Sequence, residues 1–221
     1  MKLDRRVAAV RGDVADIALA GTIFAPHYAA PLTRACTVPS TAVRAAAGED
    51  AEMVSELLEG ELFEVLDLSG GWAWGYSAHD HYVGYVREDA LGPATGEPRM
   101  DTRADPVETA RSFLGMRYVL GGRGGVGIDC SGLVQRSLAT AGVAVMRDSD
   151  QQAETVGTLL PPGTPPQRGD LVFFPGHVGM MIDGERLIHA TSHAGSVVIE
   201  PLADVSARVL GPAETPMVRR P

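Results

Sequence analysis

The chain has 221 residues, 28 acidic against 19 basic, and a formal net charge of −9. Hydrophobic residues at 45% and charged residues at 21% are ordinary globular values and exclude wholesale disorder. The acidic balance argues against nucleic acid as a partner, because Arg5–Arg6 and Arg219–Arg220 are isolated pairs rather than a basic surface. In residues 1–30, Val7, Val10, Val14, Ile17 and Ala18 recur at helical spacing and predict a short amphipathic extension. Asp4, Arg5, Arg6, Arg11, Asp13 and Asp16 interrupt every window of roughly 7–15 apolar residues that a secretory signal needs. No stretch approaches the roughly 18 apolar residues of a membrane span. The expectation is a cytoplasmic protein with no membrane contact, and with Cys36 and Cys130 as reduced thiols.

Residues 31–92 carry short β-like runs at 61–68, 72–76 and 82–86, separated by Gly70-Gly71 and by residues 78–80. Strands at this spacing predict a small barrel. Residues 93–105, with Pro93 and Pro98 among polar residues, read as a linker. A second domain follows over residues 106–221. Pro106 opens a helix that runs to Leu114, and a glycine-rich loop from Gly121 to Gly127 precedes a second helix from Cys130 to Ala141, with Gly142 as its stop. After Asp170, strands are expected at 171–174, 177–182, 186–191 and 197–200. Grouped helices followed by grouped strands predict α+β with an antiparallel sheet.

Cys130 stands at a predicted helix start, where unpaired N–H groups and the positive end of the helix favour a thiolate, the nucleophilic form. The other reading is a buried, inert cysteine, which is the reading for Cys36. His177 and His189 fall on strands joined by a turn at Asp183-Gly184, a spacing that suits two imidazoles side by side on antiparallel neighbours. A nucleophile, a base and a group orienting the base form the general pattern of an activated nucleophile. His27, His79, His81 and His193 have no such setting.

Three motifs in order, Asp129-Cys130-Ser131-Gly132-Leu133-Val134-Gln135, Gly176-His177-Val178-Gly179 and Leu187-Ile188-His189-Ala190, resemble those of the NlpC-type cell-wall cysteine peptidases, a papain-like family. The run Arg117 to Gly122 is similar to the family's Tyr-x-Trp-Gly-Gly segment, with Leu120 where tryptophan is usual. Upstream, residues 55–61, 72–74 and 82–86 resemble a bacterial SH3-like domain, which in some members walls off one end of the cleft. Arg147-Asp148-Ser149-Asp150-Gln151-Gln152 resembles a segment of members that cut γ-D-glutamyl–L-diamino acid bonds in peptidoglycan stem peptides.

The resemblance implies roles. Cys130 attacks the amide carbonyl, His177 forms the ion pair with the thiolate and protonates the leaving amine, and His189 orients His177. The Cys130 N–H and the Tyr118 hydroxyl are candidate oxyanion donors, while Asp129 and Ser131 flank the nucleophile at the substrate. Asp148 and Ser149, together with Glu52 and Tyr82 from the SH3-like part, are implied around the substrate's N-terminal amine. No cofactor and no metal are implied.

Rival patterns remain at this level. Gly122, Gly124 and Gly127 match a dinucleotide-binding G-x-G-x-x-G ahead of a helix, but no β-α-β alternation follows. Cys130, His177 and His189 are residue types that zinc accepts, without the close-spaced pairs of common structural sites. A hydrolase exported to act on intact peptidoglycan, or a non-catalytic wall-binding module, are the other functional readings. The expected whole is a papain-like α+β peptidase domain preceded by an SH3-like β-barrel, acting on murein peptides that begin with L-Ala-γ-D-Glu.

Overall fold

The computed structural model describes residues 3–94, 104–211 and 214–221, so most of the expected linker lies outside the described residues. The chain divides into two compact units, Met1–Arg99 and Met100–Pro221. No helix among the described residues is long and apolar enough to cross a membrane.

The N-terminal unit contains β1 (Ala15–Asp16), β2 (Tyr28–Ala29), β3 (Leu32–Cys36), β4 (Ser40–Arg44), β5 (Met53–Leu58), β6 (Leu62–Ser69), β7 (Trp72–Ser77), β8 (Val83–Arg87) and β9 (Leu91–Pro93). The seven strands from β3 to β9 form one sheet in the order β5-β4-β8-β7-β6-β3-β9. This sheet is open, which corrects the expected barrel. Among the described residues β5 pairs only with β4 and β9 only with β3, so no hydrogen-bonded ladder joins the two ends. Closure depends on a pairing between distant edges, which local alternation does not encode. Here the last strand is three residues long and ends in Pro93, which has no N–H to donate. Phe63, Val65, Val43, Leu57, Ala73, Val86 and Cys36 form the core of the sheet.

The helix expected near the N-terminus is also corrected. Residues 3–30 form turns, the short parallel pair β1–β2 and a single 3₁₀ turn at Ile17–Leu19. Their apolar side chains serve the sheet instead. Ala9 and Val14 pack with Leu66 and Trp74, and the Arg6 carbonyl accepts the Val83 N–H. Gly12, costly in a helix interior, sits between them.

The C-terminal unit contains α1 (Pro106–Ser112), α2 (Cys130–Ala139), α3 (Ser149–Thr155), β10 (Thr158–Leu159), β11 (Leu171–Phe174), β12 (His177–Met181), β13 (Arg186–Thr191), β14 (Ser196–Pro201), α4 (Leu202–Val209) and β15 (Met217–Arg220). Its six strands form an antiparallel sheet in the order β10-β15-β11-β12-β13-β14. This is the expected α+β arrangement, with helices on both faces of the sheet. Leu171, Phe173, Val178, Met180, Ile188 and Val197 share a core with Leu133, Val134 and Leu138 of α2 and Val107 and Ala110 of α1. The alternate residues Val172, Phe174, Met181 and Leu187 pack with Val205 of α4. Burial on both faces explains why β11 reads as an unbroken apolar run.

The two-residue period also places the polar positions. His189 shares its face with Leu187, His177 with Met181, and Glu200 faces away from Val197 and Ile199. All three therefore project from the face that carries α4.

Candidate active site

Cys130 is the first residue of α2, and Asp129 is its N-cap. The Asp129 carboxylate accepts from the Gly132 N–H at 2.7 Å and the Gly121 N–H at 2.8 Å, joining the helix start to the glycine-rich loop. Gly132 is required by close approach: a Cβ there would lie 2.4 Å from the Gly122 carbonyl oxygen. The glycines of the loop thus serve to fold it onto the first turn of α2, with no β-α-β unit around them. Arg147 is almost completely buried and clamps the same carboxylate, at 3.0 Å from Nη1 and 2.6 Å from Nη2. It also donates to the Ser131 hydroxyl at 2.8 Å. Gln152 of α3 donates to the carbonyls of Ser131 and Met146, at 3.0 and 2.8 Å. Asp129 and Ser131 are therefore buried supports of the nucleophile's turn.

His177 and His189 lie on the neighbouring antiparallel strands β12 and β13. Their rings meet edge to face, with Nε2 of His177 2.7 Å from Nδ1 of His189. These nitrogens face each other rather than a common external ion. Gly179 lies between the two strands' side chains; a Cβ there would come within 3.3 Å of the His189 Cβ. On its far side, Nε2 of His189 is 2.8 Å from Oε2 of Glu200, and Arg208 of α4 holds both oxygens of Glu200 at 2.9 Å.

Backbone N–H groups of Val178 and Ser131 point at the Cys130 sulfur, which brings the thiol to the start of β12, where Val178 follows His177 in sequence. Burial, reinforced by the Asp129 carboxylate, outweighs these donors and pushes the thiol up to about 11. Burial likewise brings His177 down to about 4, with His189 and Arg208 acting in the same direction. These shifts leave each group uncharged at neutral pH, in place of the thiolate that the helix start suggests. Burial also lowers His189 against the opposing pull of Glu200, and the Arg208 hydrogen bonds hold Glu200 below the usual carboxylate range.

Tyr118 packs against the α1–α2 core, with its phenol held up by burial and by the nearby Cys130 and Asp129. Asp148 is the half-buried N-cap of α3 in a reciprocal capping box with Gln151, and Ser149 is the first helical residue. Glu52 and Tyr82 belong to the N-terminal unit. Glu52 is exposed just before β5, and Tyr82 is buried, with its N–H on the Asp80 carboxylate at 3.0 Å. Cys36 is a buried core residue whose thiol donates to the Val38 carbonyl at 3.3 Å.

Residues 115–208 match the NlpC/P60 family, and this span holds Cys130 and both histidines. The catalytic-type part of the chain, residues 115–208, is thus the part that is similar to the NlpC/P60 family. Residues 43–91 match the bacterial dipeptidyl-peptidase Sh3 domain. Over 129 residues the chain is 31% identical to dipeptidyl-peptidase 6 of Lysinibacillus sphaericus, covering 54% of this chain and 45% of that protein. It is 29% identical over 128 residues to the γ-D-glutamyl-L-lysine dipeptidyl-peptidase of Bacillus subtilis, covering 54% and 42%. The chain thus spans less than half the length of these two relatives. The solved structure of the peptidoglycan hydrolase RipB from Mycobacterium tuberculosis is 32% identical, covering 52% of this chain and 62% of that one, with a TM-score of 0.44.

Sequence reasoning missed three charged residues of the C-terminal unit: Arg147, Glu200 and Arg208. Arg147 lies within a segment whose similarity had been noted, but nothing local marks its side chain as buried. Glu200 is a diagonal neighbour of His189 through the register that pairs His189 with Val198. That pairing becomes readable once the turn between β13 and β14 is known.

Proposed function

We propose that this protein is a cysteine peptidase that hydrolyses the γ-D-glutamyl–L-diamino acid bond of peptidoglycan stem peptides beginning with L-Ala. The observations that support the peptidase chemistry are Cys130 at the head of α2, with the Val178 N–H aimed at its sulfur, and the 2.7 Å contact between His177 and His189. Support for the bond comes from two relatives: the B. subtilis dipeptidyl-peptidase is named for γ-D-glutamyl-L-lysine, and a B. cereus protein of the same name is 34% identical over 106 residues.

In the first step the Cys130 thiol gives its proton to His177 as the sulfur attacks the carbonyl carbon at the end of the D-Glu side chain. Nε2 of His177 is engaged by His189, so Nδ1 is the nitrogen that takes the proton. The oxygen of the tetrahedral species draws on the Cys130 N–H, and on the Tyr118 hydroxyl, which stays protonated because burial holds its phenol up. The C–N bond then breaks. His177 returns its proton to the leaving amine of the diamino acid, and the acyl group remains as a thioester on Cys130. Water, deprotonated by His177, hydrolyses the thioester, releases L-Ala-D-Glu and restores the thiol.

Asp148 is the carboxylate assigned to the peptide's N-terminal ammonium, with Ser149 beside it. Asp148 stands at the start of α3, which Gln152 ties to the nucleophile's turn.

Incubation of the protein with L-Ala-γ-D-Glu-meso-diaminopimelate and its L-Lys counterpart, with products identified by mass, tests the assignment. The expected products are L-Ala-D-Glu and the free diamino acid. Intact peptides, or cleavage between L-Ala and D-Glu, would overturn it.

A further inference from the structure

Beyond the two histidines, the hydrogen-bonded line continues through Glu200 to Arg208. We infer that Glu200, gripped by Arg208, is a positioning residue that fixes which nitrogen of His177 is free to take the Cys130 proton. The inference rests on the proton transfer proposed above and adds what sets its direction.

The argument is one of donors and acceptors. A carboxylate has no proton to give, so across the 2.8 Å contact with Glu200 the proton belongs to Nε2 of His189. A neutral imidazole protonated at Nε2 has a bare Nδ1, which accepts. Across the next contact, 2.7 Å, His177 must therefore donate from Nε2. That leaves Nδ1 of His177 with its lone pair, and the structure gives this atom no hydrogen-bond partner among the described residues. One carboxylate thus sets the tautomers of two rings in series. Were the order reversed, Nδ1 of His177 would carry a hydrogen and could not act as base.

Arg208 makes the device robust. Its two 2.9 Å hydrogen bonds occupy both oxygens of Glu200 and leave it no proton of its own. The parts are also placed for the purpose by the fold. Glu200 is the penultimate residue of β14, α4 follows directly after Pro201, and His177, His189 and Glu200 all project from the face of the sheet that carries α4.

The test reads the rings directly. The protein is labelled with ¹⁵N-histidine, and the long-range ¹H–¹⁵N spectrum at pH 7 is recorded for the unchanged protein and for Glu200→Ala and Glu200→Leu. The leucine variant keeps bulk without an acceptor. His177→Asn and His189→Asn supply assignments. In the unchanged protein both rings should be neutral and protonated at Nε2. In the two variants both should become mixtures of tautomers. On L-Ala-γ-D-Glu-diaminopimelate, kcat should fall about 100-fold with KM nearly unchanged, because the loss lies in the base and not in binding. A proton on Nδ1 of His177 in the unchanged protein overturns the inference. Unaltered tautomers, or unaltered kcat, in a folded variant do the same. If no peptide is cleaved by the unchanged protein, the proposed function fails while the ring spectra still decide where the protons sit.

Discussion

Arg147 and Asp129 form a two-point ion pair in which neither side chain is more than 5% exposed, and Asp129 immediately precedes Cys130 in sequence. A buried pair of this kind is costly to break on one side, because the remaining charge is left uncompensated. Arg147→Met should therefore lower unfolding stability by about 3–5 kcal/mol. The double variant Arg147→Met with Asp129→Asn should recover part of that loss. Urea unfolding of the three proteins measures both effects, and strictly additive losses would show that the charges do not compensate each other.

The two thiols should separate function from stability. Cys130→Ala should abolish hydrolysis while keeping the fold, since Cys130 is the helix-start sulfur with Val178 and Ser131 N–H groups aimed at it. Cys36→Ala removes a buried core atom of the N-terminal sheet and should cost about 1 kcal/mol of stability with kcat unchanged. Peptide turnover and thermal melting of both variants provide the check. Turnover by Cys130→Ala at the normal rate would remove the sulfur from the mechanism.

Unequal roles are expected of the histidines. His177 exchanges protons with the sulfur, whereas His189 holds His177 through a single 2.7 Å contact. An asparagine at 189 can still offer an acceptor, but an asparagine at 177 offers no base. His189→Asn should retain measurable turnover, on the order of 1% of normal, and His177→Asn none. The opposite ranking would exchange the two roles.

Much of the C-terminal unit was legible before its structure. β11 and β13 were read to the residue: β11 is a continuous apolar run buried on both faces, and both strands lie between glycine turns. Other features were hidden for stated reasons. The N-terminal helical spacing belonged to a segment whose apolar residues pack onto a sheet, and tertiary packing overrode the local period. The open edge between β5 and β9 depends on strands far apart in sequence. β15 enters the six-stranded sheet between β10 and β11, far beyond β11 in sequence, a pairing with no local signature. The site shows the same division. Cys130, His177 and His189 were marked by motif, but Glu200 and Arg208 act through a strand register and a helix placement that residue types alone do not reveal.

The pH response of the sulfur follows from burial. The Cys130 thiol is pushed up to about 11 and the His177 imidazole down to about 4. Between those values both groups are neutral, and the thiolate fraction grows with each step in pH. In a Cys36→Ala background, alkylation of Cys130 by iodoacetamide should accelerate about tenfold per pH unit from pH 5 to 9. A preformed ion pair would instead give a rate that is flat across this range, since thiolate would be present throughout. A plateau in stopped-time alkylation assays would therefore refute the neutral resting pair.

Substrate choice should turn on the free amine. A stem peptide released from its sugar carries an ammonium on L-Ala, whereas in intact peptidoglycan that nitrogen is an amide. Asp148 is half-buried at the head of α3, and α3 is fastened to the turn that carries Cys130 through Gln152. A carboxylate that pairs with an ammonium away from bulk water discriminates against a ligand lacking the charge, because it is then left unpaired. Acetylating the L-Ala nitrogen should lower kcat/KM by about 100-fold or more. Asp148→Asn should reduce turnover of the free peptide and narrow the gap between free and acetylated substrates. Asparagine is also a good N-cap, so α3 should survive the change, and any effect reports recognition rather than unfolding. The comparison needs four values of kcat/KM, two proteins on two peptides. Equal values for free and acetylated peptide in the unchanged protein would refute amine recognition. A gap that persists undiminished in Asp148→Asn would move it to another residue.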